Sequence, residues 1–212
     1  GAMELGLQNE FFSSGRLDNL LSCFLGVEAL TQADSKHFCA LVCNDHEEVG
    51  SISANAAGGT FLESVFERIF VNRPLSSVLT SSMFVSCDNA HAVHPNYKRQ
   101  HDMWHQPVLN RGPVIKVNAK QRYATTSLTS SIFKKICLDA GVPTQTFVSR
   151  SDLACGSTIG PITSARLGIP TIDVGIPQLA MHSCRETAGV KDPVYLGQAL
   201  EKFFNFPNPV AV

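Results

Sequence analysis

The sequence predicts a three-layer α/β sandwich, with a largely parallel central sheet flanked by helices. Apolar, β-rich runs recur along the chain, and segments with apolar residues at helical spacing separate them. A hydrophobic content of 44% over 212 residues is enough to bury one continuous core. Near-continuous apolar runs are what a sheet covered on both faces requires.

In chain order, the predicted strands run from His37 to Asn44, Met83 to Cys87, Val114 to Asn118, Thr146 to Ser149 and Thr171 to Val174. Leu17, Leu20, Leu21, Phe24 and Val27 define the inward face of a first helix, and Phe61, Leu62, Val65, Phe66, Ile69 and Phe70 that of a second. Ile132, Phe133, Ile136 and Cys137 mark a third. A fourth spans Thr158 to Leu167, with Pro161 in its first turn and Gly168 as its stop. The last runs to Phe204 from Asp192, which reads as an N-cap before Pro193. Two ends read as loose, GAMELGLQNE and FPNPVAV, and Gly1-Ala2-Met3 has the look of a purification-tag scar.

Composition excludes several classes of function. With 17 basic and 18 acidic residues, no basic field is present to hold nucleic acid or an anionic membrane surface. No apolar run approaches the roughly 18 to 20 residues that cross a bilayer, so a soluble cytoplasmic protein is expected. Seven cysteines without a C-x-x-C pair suggest neither a disulfide framework nor a zinc finger, and they read as reduced, mostly buried thiols. The patterns HExxH, G-x-S-x-G and the Walker loop, together with a strand followed by G-x-G-x-x-G, are all missing.

Ligands gather at the carboxyl ends of strands in open α/β sheets, and acids are placed there. Glu47 and Glu48, in NDHEEVGS, follow the first predicted strand, where the chain is expected to turn into a helix near Ser51. Neighbouring residues of extended chain point in different directions, so one glutamate can hold a metal while the other faces a reacting water. On its own, the pair reads first as a solvated acidic turn. Asp88 follows the strand MFVSC, and His182 follows TIDVG by a short loop and offers an imidazole. Asp18 lies in the first turn of the first helix, a position that favours an acid with or without a metal. Gly156-Ser157-Thr158 reads either as an anion site at a helix N-terminus or as a plain cap. The segment from Asp88 to Gly112 is long and carries His91, His94, His101 and His105.

Taken together, RLDNL at 16–20, DHEEVGS at 45–51, CDNAHAVHPNY at 87–97, GPVIKVNAKQRYAT at 112–125, ACGSTIGP at 154–161 and QLAMHSCRE at 178–186 resemble the aspartyl aminopeptidases. The resemblance runs in order from about residue 11 to 204. It implies a zinc-peptidase fold, a cytosolic two-metal exopeptidase and a homo-oligomer, the family's dodecamer. Asp18 would bridge two zinc ions, Glu48 and His182 would complete one site, and Asp88 would bind the other ion. Glu47 would be the general base toward the metal-activated water. Lys116, Tyr123 and His91 would line the pocket, with Glu47 and Asp88, for a substrate with an N-terminal Asp or Glu.

The resemblance also implies a shortfall. One ion would receive Asp18, Glu48 and His182, an open three-ligand zinc site, whereas the other would receive only Asp18 and Asp88. The remaining histidine of the family comes from a segment that precedes its dimerisation domain. Residues 1–10 are therefore expected to be tag-derived or loose, and 11–212 to be the C-terminal part of the catalytic domain. Such a chain would hold one zinc ion well or none and would be weak or inactive. The alternative is a non-catalytic truncated chain serving assembly or peptide binding.

Overall fold

The computed structural model describes residues 1–34 and 36–207. Nine strands and six helices follow in the order β1 (Met3–Leu5), β2 (Phe11–Ser14), α1 (Leu17–Gln32), α2 (Phe61–Ile69), α3 (Leu75–Thr80), β3 (Phe84–Cys87), β4 (Ala90–His91), β5 (Val114–Val117), α4 (Ser127–Asp139), β6 (Gln145–Val148), α5 (Ile159–Leu167), β7 (Thr171–Gly175), β8 (Pro177–Leu179), β9 (Glu186–Gly189) and α6 (Lys191–Phe204). They build two sheets, of order β3-β7-β5-β6 and β1-β2-β9-β8-β4.

The α/β class is as predicted, and the sheets are mixed rather than purely parallel. In the four-stranded sheet β3 pairs with β7 and β5 with β6 in parallel, while β5 runs antiparallel to β7. The alternation of β7 shows why helices cover both faces. Ile172 and Val174 join Phe133 of α4, Leu25 of α1 and Leu196 and Leu200 of α6 in the core. Asp173 between them points the other way, toward α5. A side chain on Gly160 of α5 would strike the Asp173 carboxylate, so only glycine lets the helix come this close.

Several sequence expectations change. The run His37 to Asn44 is not a strand: no described strand pairs with it, and strand composition alone does not make a strand without a ladder partner. It lies instead along α1, with Leu41 closing on Gly26. The glutamates therefore sit in a single 3₁₀ turn, Glu47–Val49, rather than at a strand end, and turns continue to Thr60 in place of a helix at Ser51.

The inward face of α1 is also rotated from the predicted one. Leu17, Ser22, Leu25, Gly26 and Ala29 are buried, whereas Leu20, Phe24 and Val27 are exposed. Small residues face inward because α1 packs closely on α6. Asp192 is no N-cap: it is buried inside α6 and accepts the Asn110 and Gly112 amides at 2.6 and 2.9 Å. The first ten residues are not loose throughout, since Met3–Leu5 pairs with Phe11–Ser13. The C-terminal residues 208–212 lie outside the described residues.

The second sheet, built from short and polar strands, was missed by the sequence reading. Of the seven cysteines, all with free thiols, only Cys137 is fully buried, and Cys43 and Cys184 are exposed. No helix among the described residues is long and apolar enough to cross a membrane.

Candidate metal and substrate site

The first turn of α1 is tied to the end of β3 by amide side chains. Asn89 Nδ2 donates to the Leu17 carbonyl and to Gln178 Oε1, each at 2.9 Å, and Asn19 Nδ2 donates to the Cys87 carbonyl at 2.8 Å. These bonds bring Asp18 beside Asp88. On the other side Gly175 of β7 abuts the Asp88 carbonyl so closely that no other residue fits there. Asp88 then stays in register, its amide donating to the Val174 carbonyl at 2.9 Å.

Asp18, Glu48 and His182 offer ligand atoms that all lie within 4.8 Å of one another. His182 Nε2 is 3.2 Å from Asp18 Oδ2 and 3.1 Å from Glu48 Oε2. Asp18 is nearly enclosed, with 5% of its side chain exposed. Its Oδ1 is buried without a hydrogen-bond partner. An orphaned carboxylate oxygen in such a place is costly unless a proton or cation meets it. Burial and then the neighbouring Asp88 push the Asp18 carboxyl up to about 8. The donor set of two carboxylates and an imidazole is one that zinc accepts. The residues present therefore fit one such ion.

Backbone strain concentrates around the same residues. Arg16, His46, Ser51, Ala180 and His182 all have positive φ, at 62, 58, 60, 56 and 67°. Each is unfavourable for a side-chain-bearing residue and persists only where its surroundings over-determine it. Within α1 itself, Asp18 and Asn19 are non-helical.

Glu47 feels the charges of both the ligand cluster and a second, more enclosed group. Burial, then Asp88 and Glu48, push its carboxyl up to about 7, with Lys116 and His182 pulling the other way. Lys116, on β5, is 2% exposed, and its Nζ donates to Asp88 Oδ2 at 3.1 Å and to the Asn89 carbonyl at 3.0 Å. Lys116 Nζ also sits 5.3 Å from the centre of the Tyr123 ring, which packs edge-on against Phe147. Burial holds the Tyr123 hydroxyl in its protonated form, and the Cys155 thiol lies beside it.

Asp88 is thus outside the tight ligand cluster and already paired with an ammonium. Lys116 is therefore not an unpaired cation waiting for an acidic side chain, but it keeps one of its three N–H donors to offer. His91, the second residue of β4, is exposed, and its carbonyl receives His101 Nε2 at 3.3 Å.

Other histidines of this segment have local tasks. His94 Nδ1 accepts the Asn96 amide at 3.1 Å, and His105 Nδ1 is 2.6 Å from Asp102. No described group of three or more metal-ligating side chains includes them. Thr158 caps α5 and Ser157 turns to the Arg122 carbonyl at 3.2 Å, so the plain-cap reading of that turn holds.

Three supporting residues escaped the sequence reading. Asp173 is fully buried and receives Ser86 Oγ, Thr158 Oγ1 and the Ala124 amide at 2.7, 2.6 and 2.6 Å, fixing the loop after Tyr123. Asn89 forms the bridge described above. Glu186 accepts the Asp18 amide at 2.9 Å and the His182 amide at 2.7 Å. All three occur inside quoted motifs or predicted strands. The available signal was a polar residue in an otherwise buried run, which says that a partner is required without naming it.

The family model described as Aminopeptidase I zinc metalloprotease (M18) matches residues 1–204. A probable M18 family aminopeptidase 2 of Stutzerimonas stutzeri is 52% identical over 205 residues, covering 96% of this chain and 48% of that protein. The protein of that description from Pseudomonas aeruginosa PAO1 is also 52% identical, over 204 residues, with the same coverage.

Among solved structures, a chain of the cryo-EM structure of the Ape4 and Nbr1 complex superposes with a TM-score of 0.90 at 43% identity, over 96% of this chain and 41% of that one. The S. cerevisiae mApe1 dodecamer gives 0.87 at 30% identity, over 96% and 48%. The chain spans about half the length of the relatives it matches. With a model match over nearly its whole length and relatives at 52% identity, this chain belongs to the M18 aminopeptidase I family of zinc metalloproteases.

Proposed function

We propose that this chain carries the catalytic residues of a metal-dependent aminopeptidase that removes N-terminal Asp or Glu from peptides in the cytoplasm. The observation that carries the reading is the Asp18, Glu48 and His182 cluster, closed to within 4.8 Å around a buried carboxylate oxygen that lacks a partner. Zinc, when bound, polarises the scissile carbonyl and acidifies water. Asp18, Glu48 and His182 would hold one ion, and Asp18 with Asp88 would contribute to a second.

The protein's own groups supply the rest. Glu47, with its carboxyl pushed up to about 7, is suited to take a proton from water near neutral pH and to pass it to the departing amine. Lys116 is held rigidly by Asp88 and the Asn89 carbonyl, and its remaining N–H selects an acidic first side chain with Tyr123 and His91 alongside. As in the dodecameric relative, homo-oligomerisation is proposed for the whole protein.

The residues in hand give three ligands to one ion and two to the other, so the isolated chain is proposed to hold one ion and to turn over weakly. Zinc analysis paired with hydrolysis of aspartyl and alanyl chromogenic substrates tests both parts. One ion per chain and slow turnover confined to the aspartyl compound is the expected result. Two tightly held ions with rapid turnover would overturn the ligand count, and equal rates on both substrates would overturn the specificity.

A further inference from the structure

Glu186 spends both of its carboxylate oxygens on the backbone of two proposed metal ligands. Oε2 accepts the amide of Asp18, 168 residues away in sequence, at 2.9 Å, and Oε1 accepts the amide of His182, four residues away, at 2.7 Å. The residue is 2% exposed and opens β9, where it stands opposite Ser14 of β2. A carboxylate this buried is costly unless strong hydrogen bonds replace its water, and bonds from amides to an ionised acceptor are among the stronger ones.

What these bonds hold is irregular backbone at both ligands. His182 sits at φ 67° two residues after Ala180 at φ 56°, and Asp18 is the non-helical start of an otherwise regular helix. The His182 side chain does little to fix its own main chain, since 60% of it is exposed. Glu186 is the one side chain with a hydrogen bond to both segments among the described residues.

We propose that Glu186 is a positioning residue of the metal centre, a buried clasp that sets the spacing of Asp18 and His182 before any ion arrives. The inference rests on the reading of Asp18, Glu48 and His182 as a metal site and adds a residue that touches no ion. A carboxylate is required rather than an amide. Both partners are N–H donors, and a glutamine of the same shape would turn an NH₂ group toward one of them.

The test compares the full chain with Glu186→Gln. Zinc affinity is measured by chelator competition, amide hydrogen exchange is measured at Asp18 and His182, and melting is measured without metal. Groups that orient metal ligands typically contribute 10–100-fold to affinity, and a loss of about that size is expected. Exchange at one or both amides should rise about tenfold or more, with metal-free melting within a few degrees of the parent.

Equal zinc affinity in parent and variant would overturn the inference and leave the metal site standing. Unchanged exchange at both amides would overturn it as well. A parent chain that binds no zinc would sink the metal-site reading, and this inference with it. Should Glu186→Gln not fold, Glu186→Asp is measured instead, with an intermediate loss of affinity expected. Failure of both variants to fold would make Glu186 a folding residue and refute the proposed role.

Discussion

The ligand cluster and the Lys116 pocket adjoin each other but are built in opposite ways. Asp18, Glu48 and His182 stand on irregular backbone, with positive φ at Arg16, His46 and His182, and one Asp18 oxygen has no partner. Lys116 stands on a regular strand, is almost wholly buried, and has its charge met by Asp88 and the Asn89 carbonyl. One region is incomplete by itself and the other is internally satisfied. On the proposed function the difference separates two tasks: strained loops would hold groups that an ion completes, whereas a stiff strand would hold a fixed charge against which a substrate is measured.

The largest effect is expected where the two regions meet. Glu47→Gln should reduce whatever turnover the chain supports by about 10²–10⁴-fold, the usual contribution of a general base. Zinc content should be unchanged, because Glu47 belongs to neither the cluster nor the pocket pair. Turnover measured alongside elemental analysis checks this, and loss of zinc together with activity would make Glu47 a ligand instead.

Removing the charge of the satisfied region comes next. Lys116→Met leaves the largely buried Asp88 unpaired, and breaking such a pair costs about 3–5 kcal/mol. Denaturant unfolding of the metal-free chain measures the loss, and a change below about 1 kcal/mol would show that the pair is solvated after all. The variant should also lose its preference for acidic over neutral first residues.

A smaller effect follows from pH. In the metal-free chain, burial and Asp88 push the Asp18 carboxyl from its ordinary 3.8 to about 8. A raised carboxyl favours the folded state while protonated. That stability is fully present below about 3.9, and it is lost as pH rises through about 8. Melting temperature in the presence of a chelator should therefore fall as pH rises from about 4 to 8. Zinc affinity should change in the opposite direction, falling by up to about tenfold per pH unit below 8 as the proton competes for Asp18. Flat profiles in both measurements would contradict the environment assigned to Asp18.

The regular parts of the molecule were legible from sequence because their signals are local. The strands at 84–87, 114–117, 145–148 and 171–175 declared themselves as apolar runs, and α5 by Thr158, Pro161 and Gly168. Features set by distant partners were not legible. The run His37 to Asn44 has strand composition with no strand beside it among the described residues, and the outward turn of Leu20, Phe24 and Val27 follows from how closely α1 approaches α6.

The site divides in the same way. Its candidate side chains follow from the quoted motifs and the family that they resemble, because residue type carries the chemistry. The pairing of Lys116 with Asp88 and the amide bonds of Glu186 and Asn89 do not, because each depends on segments that only folding brings together.

The central claim, that Asp18, Glu48 and His182 form a metal site, is tested most directly by titrating zinc into the metal-free chain and into His182→Ala. Most of the His182 side chain is exposed, so its removal should leave the fold intact. The account predicts one tightly bound ion in the parent and an affinity lower by on the order of a hundredfold in the variant, the share of one ligand in a zinc site. Equal affinity in the two chains, or no binding by the parent, would contradict it.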